Sequence, residues 1–170
     1  MKLTKFINIL SVGVLSLLLS CSYSFTGSSV PPHLETISIP LVQDRSGSGE
    51  PYLSNDFTQN LTQQFIDDNS LQVINSVNSD AVLSVTVVSF QERTEVVSGT
   101  NEKATERRIT ISVKAIYKDL VMKKTIFDKQ FSNYATFDAT QNSIENRQDA
   151  IERAIENVNL DLLLAVVADW

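Results

Sequence analysis

One cysteine, Cys21, and one histidine, His33, are all that the 170-residue chain has of either type. A lone cysteine closes no internal disulfide, and a lone histidine with no second ligand type spaced to it makes neither a zinc site nor the base of a nucleophile pair. G-x-S-x-G, H-E-x-x-H, C-x-x-C and a glycine-rich phosphate loop are all missing. The residues therefore support no catalytic arrangement, and the chain reads as non-enzymatic and free of cofactors apart from a covalent lipid. Asp67-Asp68 ends a predicted helix and reads as solvated rather than as a paired-acid site; Asn60-Leu61-Thr62, a glycosylation sequon in form, lies on that same helix and reads as a chance match. No apolar run reaches the ~20 residues of a membrane-spanning helix. Basic residues are few as well, 14 Lys and Arg against 20 Asp and Glu for a net charge of -6, which argues against nucleic acid as a partner.

What is present begins at the N-terminus. Lys2 and Lys5 precede an apolar run from Phe6 to Leu19, which closes on Leu18-Leu19-Ser20-Cys21. This has the form of a secretory signal peptide, residues 1–20, ending in a lipobox whose cysteine takes a diacylglycerol and becomes the first mature residue. Cys21 is therefore the expected lipidation site; the competing reading is a secreted chain with an unpaired thiol. More than one acyl chain, at ~0.8 kcal/mol per buried CH₂, makes such an anchor effectively permanent. Residues 21–34, rich in Ser and Pro, read as a tether in which Tyr23 and Phe25 are apolar enough to dock, and residues 35–170 as one globular domain.

Removal of the signal peptide takes two lysines with it and brings the charge to -8. Residues 21–102 hold two basic side chains against ten acidic ones and residues 130–170 two against seven, whereas 103–129 holds eight against three. A net +5 segment inside a -8 chain points to an anionic partner for one surface.

Hydrophobic periodicity predicts the fold. Glu35 to Val42 alternates, with Ile37, Ile39 and Leu41 on one face, as a half-buried strand. Gln43 to Pro51 reads as a loop. From Tyr52 to Asp68 the period becomes four, with Leu53, Phe57, Leu61 and Phe65 in line and Ile66 alongside, which is an amphipathic helix. A short strand follows at Leu71 to Asn75, and strand, helix and strand over this length imply a right-handed crossover between parallel strands. Ala81 to Val97 is a strand whose inward set shifts from Leu83, Val85 and Val87 to Val88 and Phe90, marking a β-bulge near Val87. After a turn over Ser98 to Asn101, Arg107 to Lys118 turns Ile109, Ile111, Val113, Ala115 and Tyr117 inward. Lys124 to Phe137 is the last strand, with an irregularity expected among Phe127, Phe131, Tyr134 and Phe137. Ser143 to Trp170 is the longest helix, with Ile144, Ile151, Ile155, Val158, Leu162 and Val166 on one face. The expected fold is α+β, in the order β-α-β-β-β-β-α, with two helices packed on one face of a mixed four- to five-stranded sheet. The opposite face is then open and rich in Ser, Thr and Lys.

Two surfaces are candidate sites. Arg108, Lys114 and Lys118 share the open face of one strand, spaced for successive anionic groups, with lysine as a point charge and arginine as a bidentate phosphate clamp; Lys103 and Arg107 extend the same basic segment. Leu160, Leu164 and Val167 lie off the main apolar stripe of the last helix, so that end is either deep core or a docking surface for a partner.

Several stretches, taken in order, resemble the lipopolysaccharide-assembly lipoproteins of outer membranes, in a form closest to that of Bacteroidetes-type bacteria. They are Tyr23-Ser24-Phe25-Thr26-Gly27 directly after Cys21, Thr36-Ile37-Ser38-Ile39-Pro40, the Phe57/Leu61/Phe65 helix, Arg108-Ile109-Thr110-Ile111-Ser112-Val113-Lys114, and Phe131-Ser132-Asn133-Tyr134 through Phe137. The resemblance implies two helices against a mixed sheet and a non-enzymatic protein without a cofactor. It also implies a lipid-anchored, periplasm-facing subunit of the outer membrane that sits as a plug in a large β-barrel translocon and binds lipopolysaccharide. Only Cys21 carries over as a functional residue; the lipopolysaccharide-binding candidates rest on charge and placement. The alternative is a general periplasm-facing lipoprotein that scaffolds another envelope complex.

Overall fold

The structure is a computed structural model that describes residues 30–76, 78–95, 106–140 and 142–168. The signal peptide, Cys21, Lys103 and the turn expected over 98–101 lie outside them. The elements are β1 (Thr36–Ser38), β2 (Gln43–Asp44), α1 (Leu53–Asp68), β3 (Gln72–Val73), β4 (Ala81–Thr94), β5 (Glu106–Asp119), β6 (Lys124–Asp138) and α2 (Ser143–Val167). The sheet runs β3-β1-β4-β5-β6, with β2 also paired to β4. β1, β2 and β3 join by parallel pairing, and β4, β5 and β6 form an antiparallel meander. This is the expected α+β fold with one more strand than predicted.

The extra strand and a shortened β1 have one cause. Alternation through Leu41 predicts a strand to Val42, but Pro40 has no N–H to give to a ladder, and β1 stops at Ser38. Beyond the proline Val42 is buried and Leu41 exposed, and Val42 donates its N–H to Thr58 Oγ1 at 2.9 Å. The chain then pairs again as β2, Gln43 against Thr86 and Asp44 against Val87, within the stretch expected to be loop.

Helix α1 buries Leu53, Phe57, Leu61 and Phe65, one per turn, while Ile66 lies off that stripe and is exposed. It ends where Asn69 takes a left-handed φ of 57° and returns its N–H to Phe65 O at 3.1 Å, a conformation asparagine tolerates better than most residues. In β4 the register slips between Val87 and Ser89, at the predicted bulge. Val88 is the residue pushed out and is exposed, not inward, while Phe90 packs against the core. In β6 the slip falls at Ile126, between the pairs Tyr117–Phe127 and Lys118–Thr125, so it precedes most of the aromatic run.

Helix α2 packs on β5 and β6, and α1 packs on α2 and beside β2 and β3. Ile151, Ile155, Val158, Leu162 and Val166 are buried, as their spacing requires. Ile144, assigned to the same face, is 86% exposed in the first turn. A fully buried polar residue, Asn159, stands in the stripe. Alternate carbonyls of the edge strand β6 are occupied from α2: Asp138 O by Asn146 Nδ2 at 3.0 Å, Thr136 O by an Arg153 Nη at 2.9 Å and Tyr134 O by Asn157 Nδ2 at 3.0 Å. Among the described residues no helix is long and apolar enough to cross a membrane.

Candidate functional site

With both helices on one side, the meander's other face is open. Its cross-strand rows read Ser84–Ile116–Asp128, Thr86–Lys114–Gln130, Ser89–Ser112–Ser132, Gln91–Thr110–Tyr134 and Arg93–Arg108–Thr136. Ser112 and Ser132 hydroxyls lie 2.8 Å apart at the centre. The face is a hydroxyl and amide platform with cations at intervals.

Those cations are less available than the charge count implies. Arg108 is ion-paired to Glu95 at 2.7 Å and its guanidinium lies 4.0 Å from the Tyr134 ring centroid; Lys114 faces Asp128 at 3.2 Å. Arg107, one residue out of phase, is on the helix side of the sheet, paired to Glu92 at 3.0 Å. Glu92 is shared with Arg147 of α2, which donates to Glu92 Oε2 at 2.9 Å and to Glu50 Oε1 at 2.5 Å. Glu92 on β4 and Glu95 just past its end lie outside the basic segment in a count along the chain, and Asp128 on β6 lies within it; the sheet sets all three alongside the basic strand. The pairs on the open face, Arg108–Glu95 and Lys114–Asp128, stand at the surface, and surface pairs are worth only ~0–1 kcal/mol.

Lys118, Lys123 and Lys124 have no ion pair among the described residues. They bracket the β5–β6 turn, where Leu120, Val121 and Met122 are exposed. The turn is braced by Asp119, whose Oδ1 accepts the Met122 N–H at 2.7 Å and whose Oδ2 lies 2.7 Å from His33 Nε2. Leu120 donates its N–H to Asp80 O at 2.8 Å. Burial alone would raise the Asp119 carboxyl, but hydrogen bonds from His33 and from the Met122 and Val121 N–H groups outweigh it and hold the group below its ordinary value. His33, in which the sequence shows neither a metal ligand nor a base, thus fixes the incoming chain to the turn.

Of the docking candidates, Leu160 and Leu164 are 48% and 49% exposed, whereas Val167 is 7% exposed and belongs to the core. Position 167 follows the buried Leu163 by four residues and is buried with it, so it is not a surface residue. Cys21 and Lys103 lie outside the described residues. Among the described residues no group of three or more His, Cys, Asp or Glu could hold a metal ion.

A family model described as lipopolysaccharide-assembly, LptE, matches residues 34–165. No curated protein matches the chain. Among solved structures the chain is similar to a hypothetical protein of Chlamydia trachomatis (TM-score 0.60, 10% identity, covering 81% of this chain and 99% of that one). It is similar too to a protein of Xanthomonas campestris (0.55, 14%, covering 82% and 92%) and a minor lipoprotein of Acinetobacter baumannii (0.51, 15%, covering 81% and 95%). At these identities the likeness is one of fold.

Proposed function

Since the chain belongs to the lipopolysaccharide-assembly family, whose model spans most of the domain, we propose that it works as an outer-membrane lipoprotein, anchored through Cys21 and facing the periplasm, that accompanies a large β-barrel translocon and binds lipopolysaccharide. Family membership makes it a lipoprotein of lipopolysaccharide assembly, a non-enzymatic and cofactor-free class. The observation that carries the finer reading is the open sheet face, where hydroxyl rows flank Arg93, Arg108 and Lys114. Sugar hydroxyls and phosphates are the groups such a face can bond. The ion pairs on it do not stand in the way. A carboxylate partner worth ~0–1 kcal/mol to an exposed cation is readily exchanged for a phosphate, and Arg108, stacked on Tyr134, keeps its planar donors oriented for a bidentate contact.

The test is lipopolysaccharide affinity at low and moderate salt. Changing Arg108, Lys114 and Lys118 together to Gln is expected to weaken binding and flatten its salt dependence, since screening acts over ~8 Å at physiological ionic strength. Changing Glu145, Asp149 and Glu152, exposed on α2, is expected to do neither. Equal loss in both triples would place the ligand elsewhere. Co-purification with a detergent-solubilised β-barrel separates this reading from a scaffold of another envelope complex.

A further inference from the structure

The β5–β6 turn joins three features of which the sheet-face reading uses only Lys118. Leu120, Val121 and Met122 are 38%, 55% and 64% exposed in consecutive positions. Leu120 also lines a shallow groove with Ile39, Pro40, Leu41 and Val82, which continues the apolar surface from the turn on to the exposed Leu41. Lys118, Lys123 and Lys124, which have no ion pair among the described residues, flank this tip, whereas the acids that brace it are engaged, Asp119 with His33 and Asp80 with the hydroxyl and N–H of Thr36. Lys123 also sits at a left-handed φ of 54°, where glycine would be at ease and a long side chain is not.

The third feature is where the chain enters. His33 bonds to Asp119 at the base of the turn, and Leu34 beside it is buried, so the described chain begins, at Val30, on the same end of the domain as the apolar tip. Eight residues lie between Cys21 and Val30, a link that reaches about 30 Å at full extension. We propose that the Leu120-Val121-Met122 tip enters the headgroup region of the phospholipid leaflet that holds the anchor, with Lys118, Lys123 and Lys124 against lipid phosphates. This rests on the anchor reading above. An apolar tip ringed by lysines is suited to that boundary, where side-chain methylenes are buried and ammonium groups stay among anionic headgroups. The contact fixes the domain's orientation: the β5–β6 end against the membrane, the β4–β5 end and the start of α2 away from it.

The test uses the lipoprotein purified from cells and reconstituted into phosphatidylethanolamine–phosphatidylglycerol vesicles. A fluorophore is attached at Met122→Cys, or as control at Glu145→Cys, exposed in the first turn of α2 at the far end of the sheet, and lipids with a nitroxide just below the headgroup serve as quencher. Quenching is expected to be several-fold stronger at position 122 than at position 145, and to fall toward the control level when Val121→Asp or the pair Lys123→Gln and Lys124→Gln is added. These side chains are exposed, so the substitutions leave the fold in place, which circular dichroism confirms. Equal quenching at the two positions, or quenching at 122 that none of these substitutions reduces, overturns the proposal. Mass spectrometry of the N-terminus on the same sample keeps the two readings apart. Acylated Cys21 without selective quenching at 122 overturns the tip contact alone. Unmodified Cys21 overturns the anchor, and the tip is then judged by the same quenching on a Cys21→Ser background.

Discussion

Asn159 on α2 donates from Nδ2 to Asn60 Oδ1 on α1 at 2.9 Å, and also reaches Phe57 O at 3.3 Å. Asn159 is fully buried, so this is a polar contact between the helices within an apolar seam. Asn159→Leu is expected to cost only ~1 kcal/mol, the net worth of such a bond. Asn159→Asp places a buried carboxylate against two acceptors and is expected to cost about 3 kcal/mol or more. Urea unfolding of the two variants checks this; equal losses would mean that the site tolerates charge and is open to water.

The acid limb of stability should depend on the carboxylates that hold β1 and the tether. Asp80 is held below its ordinary 3.8 by the Thr36 hydroxyl and the Glu35 and Thr36 N–H groups, and Asp119 is held below 3.8 against its burial by His33 and the turn N–H groups. A carboxyl lowered in the folded state binds fewer protons there than in the unfolded chain. Its contribution is therefore complete above the unfolded value and lost as pH falls through the folded one. The urea midpoint is expected to drop as pH is lowered below 3.8, and to drop less steeply in Asp119→Asn and Asp80→Asn. An unchanged slope in both variants would contradict the assignment.

Leu164 and Leu162 are two residues apart on α2 and should behave oppositely. Leu162 is fully buried and Leu164 half exposed. Leu162→Asp is expected to unfold the domain or cost several kcal/mol, whereas Leu164→Asp should stay within ~0.5 kcal/mol of wild type while weakening any complex that α2 docks into. Thermal melting of the isolated protein, set beside pull-down of the envelope complex, reads both. Unfolding by Leu164→Asp would make that surface core.

Cys21→Ala is expected to leave an unprocessed or soluble periplasmic species with the domain's stability unchanged, because the position precedes the described domain. The N-terminal mass of the wild-type protein decides it: a free thiol or a cleavage site elsewhere would sink the lipid-anchor reading.

Long periodic segments were readable from sequence because burial imposes their period: the spacing of four in Leu53, Phe57, Leu61 and Phe65 and the alternation from Ile109 to Tyr117 leave one solution each. Even the bulge near Val87 shows as a change of phase. What misled was local or cross-strand. Pro40 cut a strand that alternation extended, and two residues beyond it paired again as β2, too short to carry a period. Val167 was placed by its departure from one stripe, although α2 meets both the sheet and α1 and so buries a wider arc. The pairing of the charge run is illegible for a different reason. Glu92, Glu95 and Asp128 are 13 to 15 residues along the chain from their partners Arg107, Arg108 and Lys114, and only the antiparallel register makes them neighbours. His33 gave no signal, since nothing in the sequence says that position 33 meets position 119.

The three α2 side chains seated on the carbonyls of Tyr134, Thr136 and Asp138 decide what can pair with this edge of the sheet. A strand at the rim of a sheet ordinarily offers its vacant acceptors to any extended chain that passes. Here Asn146, Arg153 and Asn157 have already taken those places over the second half of β6. An extended chain arriving there meets amide and guanidinium groups instead of a free hydrogen-bonding row, so a neighbour can lie against β6 without being joined to the sheet.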